Sequence, residues 1–162
     1  MYSNGPVFKA ETTMSFRDQP YAGQLPQGLW TTGLCDCHED PQICFQTAVL
    51  PCITFGQNSE IVSRGTIPWS NSSSIHMVLS LVGCCCIYGF PNRTRLREHL
   101  SLPEEPCRDC LLHIFCTHCA LCQESRELKN RGADPSIGWQ ANIEKWSEEK
   151  ITPPIVVPGM SR

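Results

Sequence analysis

Three apolar stretches interrupt an otherwise polar chain, and they set the predicted elements. The first, residues 41–59, carries no formal charge, and Pro51 in its middle should break a helix, so two shorter helices are predicted. The second has its apolar centre at residues 75–90, and these 16 residues are fewer than the roughly 20 that a helix needs to cross a bilayer. The third, residues 110–123, suits a buried or interfacial helix.

Local signals predict helices in the second half of the chain. Asn92 or Thr94 can cap a helix through residues 95–100, and a longer cysteine-rich helix is predicted near residues 107–130, ending at Gly132. Glu127 and Arg131 have the i,i+4 spacing that is typical of an exposed helix face. No segment alternates with period two, so the predicted fold class is mainly α.

The length of 162 residues fits one domain with tails. Residues 1–28 are polar and rich in Gly, Pro and Gln, which predicts a flexible N-terminal tail. Residues 29–140 form the predicted cysteine-rich helical domain. Residues 141–162 are predicted to be a flexible, proline-rich C-terminal tail, because the prolines near the end exclude a regular helix there.

Charge and motifs exclude several classes of function. The net charge of −3 provides no basic field, so nucleic acid is not an expected partner. The chain has no phosphate-binding glycine loop, no H-E-x-x-H and no G-x-S-x-G motif. A protein that is not an enzyme is therefore predicted.

Twelve cysteines are the unusual feature of the composition. Residues 1–24 lack the basic start and apolar run of a signal peptide, so we expect the thiols to face a reducing compartment, at least in part. Metal ligation or apolar packing is therefore favoured over structural disulfides. The alternative is a disulfide scaffold.

The second apolar stretch favours association with a membrane. Arg93, Arg95 and Arg97 follow it directly, as expected of a cytoplasmic flank. The alternative is a buried core helix of a soluble protein. A mean hydropathy of −0.21 does not indicate a multi-spanning transporter, so several copies would have to assemble if ions cross a membrane.

The strongest internal pattern is CRDCLLHIFCTHCALC, in which thiols recur at C-x2-C spacing. Thiolates bind soft or borderline cations such as Cd²⁺ and Zn²⁺, because sulfur is polarisable and releases its proton to the metal. On one helix the last three cysteines share a stripe about 120° wide. Packing of these cysteines as small buried side chains is the alternative. The candidate ligands here are Cys107, Cys110, Cys116, His118, Cys119 and Cys122.

A second candidate site is the run CDCHED at residues 35–40. It mixes sulfur, imidazole and carboxylate ligands, with Cys35 and Cys37 as the thiols. The run could form a loose entry site for a metal ion, and a solvated loop is the alternative.

Three blocks in this order carry a family resemblance: TGLCDC at 32–37, AVLPCITFGQ at 48–57 and PCRDCLLHIFCTHCALCQESRELKNRG at 106–132. Over residues 29–140 the chain resembles the placenta-specific gene eight (Cys-rich) family, particularly its plant branch of cadmium resistance proteins and fruit-weight-like cell number regulators. The resemblance implies a small plasma-membrane protein that forms homo-oligomers. It also implies efflux of, or resistance to, cadmium and zinc. The alternative implied role is a membrane-anchored regulator of cell number and organ size that acts through protein partners.

The resemblance adds two candidate ligands. The family's element is written CC or CL, a spacer, then CPC, and here it reads Cys44-Phe45, a spacer, then Leu50-Pro51-Cys52. Phe45 and Leu50 replace one cysteine at each end. The resemblance implies that Cys44 and Cys52 carry the ion, with weaker binding than in relatives that have all the thiols.

Overall fold

The computed structural model describes residues 28–104 and 109–151, without the side chains of residues 37, 110 and 149–151. This part of the chain contains no β-strand, which confirms the mainly α prediction. Short 3₁₀ turns lie at Cys37–Glu39 and Pro135–Ile137. The helices of the described residues are α1 (Pro41–Val49), α2 (Pro51–Val62), α3 (Trp69–Leu81), α4 (Cys85–Leu100), α5 (Asp109–Phe115), α6 (Thr117–Asn130) and α7 (Gly138–Ile151).

The two predicted tails fall mostly outside this description. Residues 1–27 and 152–162 are not among the described residues. Helix α7 continues from Gly138 to Ile151, across the boundary predicted between the domain and its C-terminal tail.

The predicted break at Pro51 is confirmed. Pro51 occupies the first turn of α2, where its missing N–H costs no helical hydrogen bond, and Leu50 separates it from α1. The two helices fold back on each other as a hairpin. The Gln46 side chain donates to the Gln57 side-chain oxygen at 2.7 Å, and the hydroxyls of Thr47 and Thr54 are 3.0 Å apart.

Helices α2 and α3 approach closely because small residues line their contact. A Cβ atom at Gly56 would collide with the Ser73 hydroxyl and with the Trp69 carbonyl oxygen. The hydroxyls of Ser59 and Ser72 lie 3.0 Å apart in the same interface. Ser72 and Ser73, two of the uncharged serines before the apolar centre of the second stretch, therefore pack against α2.

The second apolar stretch is divided between two helices. Helix α3 ends at Leu81 and α4 begins at Cys85, with Gly83 at φ 73° in the connecting turn. Helix α4 is longer than the predicted segment 95–100 because it continues through Pro91. A proline inside a helix normally breaks it, and the buried contacts of α4 described below offset that cost.

The cysteine-rich segment predicted as one helix near 107–130 forms two helices among the described residues. Cys116 has extended backbone angles (φ −147°, ψ 59°) and separates α5 from α6. Its N–H still donates to Leu112 O at 2.8 Å, and its carbonyl oxygen accepts from Ala120 N at 3.0 Å. The two helices therefore stay connected by backbone hydrogen bonds. Gly132, at φ 90°, lies just past the end of α6, as predicted.

Helix α6 is the centre of the molecule and contacts α1, α2, α4 and α5. All of residues 120–128 are buried, so the helix has no broad solvent face along this length. Trp146 of α7 donates from its indole nitrogen to Gly132 O at 3.0 Å. The main apolar cluster beside α6 contains Ile61, Val62, Leu96, Leu100, Leu102, Leu128, Ala133 and Trp146.

Candidate functional site

Buried polar side chains of α6 bind the chain segment that leads to the first cysteines. The Glu127 carboxylate accepts hydrogen bonds from both the N–H and the hydroxyl of Thr31, at 2.8 and 2.7 Å. The Arg126 guanidinium donates to Gly33 O at 2.9 Å. We call this set of contacts, between residues 123–131 and residues 29–33, the latch. It fixes the backbone just before Cys35.

The prediction that Glu127 and Arg131 lie on an exposed face is wrong. Their ion pair at 2.5 Å is completely buried, with 0% of either side chain exposed. Arg131 also donates to Leu29 O at 3.2 Å. Because the pair also binds Leu29 and Thr31 in the latch, its charges interact with protein groups rather than with water.

Two carboxylates of the CDCHED run, Asp36 and Asp40, stabilise the fold around it. Asp36 accepts from Gly33 N at 2.7 Å, and Asp40 caps α1 by accepting from Ile43 N at 3.1 Å. Asp40 also pairs with Lys129 at 2.6 Å. Burial alone would raise the pKa of Asp40, but its hydrogen bonds to Lys129 and to the α1 backbone lower it overall. The same hydrogen bond raises the pKa of Lys129.

The thiols of Cys35, Cys44 and Cys52, in the first third of the chain, are at least partly accessible. Cys35 is exposed, and Cys44 and Cys52 are half-buried on the two helices of the α1–α2 hairpin. Phe45 and Leu50, the residues that replace cysteines of the family element, are exposed. The α1–α2 hairpin therefore presents two thiols beside apolar side chains.

The predicted stripe of Cys116, Cys119 and Cys122, which we call the last cysteine group, is only partly accessible. Cys116 and Cys119 are joined by a disulfide across one helical turn, with their Cα atoms 5.4 Å apart. His118 is exposed, whereas Cys122 is buried with 2% of its surface accessible. The sequence favoured metal ligation or apolar packing over disulfides, and this pair departs from that expectation.

No group of three or more His, Cys, Asp or Glu side chains is arranged to hold a metal ion among the residues that were described. Cys107 and the side chains of Cys37 and Cys110 lie outside that description. Three of the ten candidate thiol and imidazole ligands are thus not placed. The metal site stays a prediction.

A buried network of charges joins α4, α5 and α6. Arg93 lies 3.4 Å from Glu124 and 3.3 Å from Asp109, and its side chain has no exposed surface. Arg97 binds Asp109 at 2.7 Å, and the His113 ring nitrogen Nε2 lies 3.2 Å from the same Glu124 oxygen. Two arginines and two carboxylates therefore balance one another inside the helical core.

This network corrects the reading of the arginines as a cytoplasmic membrane flank. Arg93 is buried and its guanidinium lies 4.4 Å from the centre of the Trp30 ring. Arg97 is largely buried against Asp109. Of the three arginines only Arg95 is exposed, so this segment presents no cluster of positive charge.

A second imidazole lies near the network. His76 is 1% exposed and stacks on Phe55, with ring centroids 4.5 Å apart. Burial, with a smaller contribution from the charge of His113, lowers the pKa of His76 to about 4. His76 is therefore neutral at physiological pH.

The sequence did not predict the buried charges of α4 and α6, because charged residues at i,i+4 spacing are typical of an exposed helix face. Glu124 and Glu127 come shortly after the residues CALC, and apart from Arg131 their main partners, Arg93 and Thr31, come from distant segments. A usable signal was Arg93, a charge placed directly after a 28-residue uncharged run. Such a position is compatible with a buried ion pair as well as with a membrane flank.

Exposed apolar side chains concentrate on α3, α4 and α5, which pack side by side in that order. We call this the apolar surface. Leu81 and Phe115 are its most exposed members, at 81% and 82%. The other members of the apolar surface are Trp69, Ile75, Met77, Val78, Val82, Ile87, Phe90, Leu111 and Ile114.

Among the residues that the structure describes, no helix has both the length and the apolar character required to span a bilayer.

Comparisons with known proteins agree with the family resemblance. The chain is 74% identical over 162 residues to Protein PLANT CADMIUM RESISTANCE 12 of Arabidopsis thaliana, covering 100% of both chains. It is 43% identical over 150 residues to Protein PLANT CADMIUM RESISTANCE 9 of the same plant, covering 92% of this chain and all of the relative. It is 44% identical over 124 residues to Cell number regulator 10 of Zea mays, covering 76% and 79% of the two chains.

No solved structure matches the chain. Its sequence matches the PLAC8 family over residues 30–127, which include most of the latch, the α1–α2 hairpin and most of α6. The match covers more than half of the chain, and the relatives match over most or all of their length. The chain belongs to the PLAC8 family.

Proposed function

We propose that this chain is a plasma-membrane protein that binds soft divalent cations, Cd²⁺ and Zn²⁺, through thiolates and exports them from the cell as a homo-oligomer. The observation that carries the proposal is the 74% identity, over the full length of both chains, to a relative named for cadmium resistance. The proposal assigns the chain the binding and transfer of ions and no catalysis.

The α1–α2 hairpin supplies thiols with suitable accessibility. Cys44 and Cys52 are half-buried, so an ion can reach them from solvent and still lose part of its hydration shell. An ion that is to be transferred must be bound strongly enough to be captured and weakly enough to be released. A pair of thiolates meets this need better than a closed four-cysteine site, which would hold zinc permanently.

The apolar surface supports the membrane part of the proposal. Side chains such as Leu81, Val82 and Phe115 leave large apolar areas in contact with water in the isolated chain. Contact with lipid, or with other copies of the chain, removes this area from water and is therefore favourable. We propose that the surface faces the bilayer and that copies assemble there.

The second candidate function is a membrane-anchored regulator of cell number that acts through protein partners. It is favoured by the relative named Cell number regulator 10, which is 44% identical over 124 residues. The exposed Phe45 and Leu50 favour it as well, because they place apolar contact area where the family element has thiols.

Cadmium binding by the purified, detergent-extracted chain tests the first function. We expect bound cadmium in the wild type, with a parallel loss of titratable thiols, and at least about tenfold weaker binding in the Cys44→Ser/Cys52→Ser variant. Cys85→Ser/Cys86→Ser is the matched control, because these thiols are also half-buried. A wild type that binds no cadmium while its thiols are free would overturn metal handling and leave the regulator.

A further inference from the structure

The disulfide between Cys116 and Cys119 lies at the start of a long helix. Cys116 is the residue that precedes α6, and Cys119 is the third residue of that helix. Their Cα separation of 5.4 Å is within the usual range for disulfides. The same spacing of three residues places two reduced thiols on one helix face, where they can bind one soft cation. One backbone geometry therefore serves both oxidation states.

We propose that Cys116 and Cys119 form a reversible dithiol–disulfide pair that sets how many thiolates the last cysteine group offers to a soft cation. The redox part stands on the geometry of the pair. The metal consequence rests on the proposed function.

The backbone around the pair does not need the disulfide. The hydrogen bonds Cys116 N to Leu112 O and Ala120 N to Cys116 O continue the helical pattern through the break. The Thr117 hydroxyl also donates to His113 O. Because the disulfide closes a loop of only three residues, it removes little entropy from the unfolded chain. The fold is therefore expected to persist when the pair is reduced.

Redox reagents can reach this pair. Cys116 and Cys119 are both half-buried, and the neighbouring Phe115 and His118 are exposed. The N–H groups of the first turn of α6 favour negative charge, which stabilises a thiolate there. Cys122, one turn further along, is buried and lacks this access.

The oxidant we name is a small-molecule disulfide, glutathione disulfide. One protein thiolate attacks a sulfur of this disulfide, forming a mixed disulfide and releasing one glutathione thiolate. The second protein thiolate attacks the protein sulfur of the mixed disulfide and releases the other glutathione thiolate. Two electrons pass from the protein to the oxidant, and the two thiol protons end on the two glutathiones. Reduction by glutathione is the reverse.

Oxidation removes two thiolates from the last cysteine group. A disulfide sulfur carries no negative charge and is a poor ligand compared with a thiolate. Cadmium is therefore held by this group when the pair is reduced and released when it is oxidised. The thiols of the α1–α2 hairpin lie on other helices and are not consumed.

The test uses the full-length chain, equilibrated in buffers of stepped glutathione to glutathione disulfide ratio, quenched with acid and alkylated. Mass spectrometry then gives the alkylation of each cysteine. We expect Cys116 and Cys119 to change together from alkylated to disulfide as the buffer becomes oxidising. Cys44 and Cys52 should stay alkylated over the same range. The Cys119→Ser variant should show no intramolecular disulfide at Cys116.

Cadmium binding is measured in parallel portions of each sample, taken before the quench and freed of glutathione by gel filtration. We expect the oxidised wild type to bind fewer cadmium ions per chain than the reduced wild type, because the last cysteine group loses its ion while Cys44 and Cys52 keep theirs. Cys116→Ser/Cys119→Ser should show the lower number at every ratio. A pair that stays fully reduced or fully oxidised from the most reducing to the most oxidising buffer would overturn the inference, whatever cadmium does. A clear redox transition with no cadmium bound in either state would overturn the proposed metal function instead.

Discussion

Arg93 and Glu124 form an ion pair at 3.4 Å in which neither side chain has any exposed surface. A buried pair of this kind adds little net stability compared with apolar residues, because both charges lose their hydration. Removing one partner is different, since it leaves an uncompensated charge in the core. Arg93 and Glu124 are therefore essential to each other rather than individually stabilising.

The first prediction concerns this pair. Glu124→Gln should lower the free energy of unfolding by about 3 kcal/mol, because Arg93 and His113 lose the carboxylate between them. Urea denaturation followed by circular dichroism measures the change. The exposed Glu144→Gln is the control and should change stability by less than about 0.5 kcal/mol. Equal effects of the two substitutions would contradict the buried network.

The second prediction concerns the latch. Glu127→Gln weakens the acceptor of the Thr31 N–H and leaves Arg131 without its charge partner. Residues 29–33 should then exchange their amide hydrogens faster, because local opening of this segment costs less. Hydrogen exchange with mass spectrometry measures this. Exchange in the α1–α2 hairpin should change much less, and an unchanged rate at residues 29–33 would mean that other contacts hold the segment.

The third prediction is a dependence of stability on pH. The pKa of His76 is lowered in the fold to about 4, mainly by burial, from 6.5 in the unfolded chain. Below pH 6.5 the unfolded state therefore binds a proton that the folded state does not, so acidification favours unfolding. The loss develops between about pH 6.5 and pH 4 and reaches about 3 kcal/mol.

His76→Gln tests this prediction through the slope of the unfolding free energy against pH, rather than through its value at one pH. The variant should lose less stability than the wild type between pH 6.5 and pH 4, as measured by urea denaturation at each pH. Burial also lowers the pKa of His99, which therefore contributes a slope of the same sign. His99→Gln provides the comparison. Parallel curves for the wild type and His76→Gln would show that His76 is not the group responsible.

The sequence predicted the positions of the helices better than the tertiary contacts of their side chains. The mainly α fold and the break at Pro51 follow from local rules, since proline and the apolar pattern act over a few residues. The break at Cys116 did not follow, because cysteine has no strong preference for ending a helix. Likewise, Pro91 did not end α4, where burial of Arg93 and Leu96 outweighs the local cost.

The buried charges were the main failure of sequence reasoning. Glu127 and Arg131 show the spacing of an exposed pair, and nothing local reveals that Thr31 lies against them, since it is 96 residues away from Glu127 along the chain. Only tertiary contacts decide whether such a pair is solvated. The CALCQESREL block that carried the resemblance is thus explained mostly by structure, because its polar residues form the latch and the buried network.

For the candidate metal ligands, local spacing was more informative than it was for the buried charges. Cysteine spacing predicted which thiols could meet, and the structure brings Cys116 and Cys119 together as a disulfide. Cys44 and Cys52 entered only through the resemblance, yet both are half-buried on the α1–α2 hairpin. Spacing indicates neighbours on one helix, but it cannot indicate which helices meet or how many copies assemble.

Cadmium content of cells that express the chain tests the central claim most directly. After equal exposure to cadmium, these cells should hold less cadmium than cells with an empty vector. At equal expression, the Cys44→Ser/Cys52→Ser variant should raise the cadmium content most of the way back to that of the empty-vector cells. Elemental analysis of washed cells measures the content. Wild-type cells that accumulate as much cadmium as the empty-vector cells would contradict export by this protein.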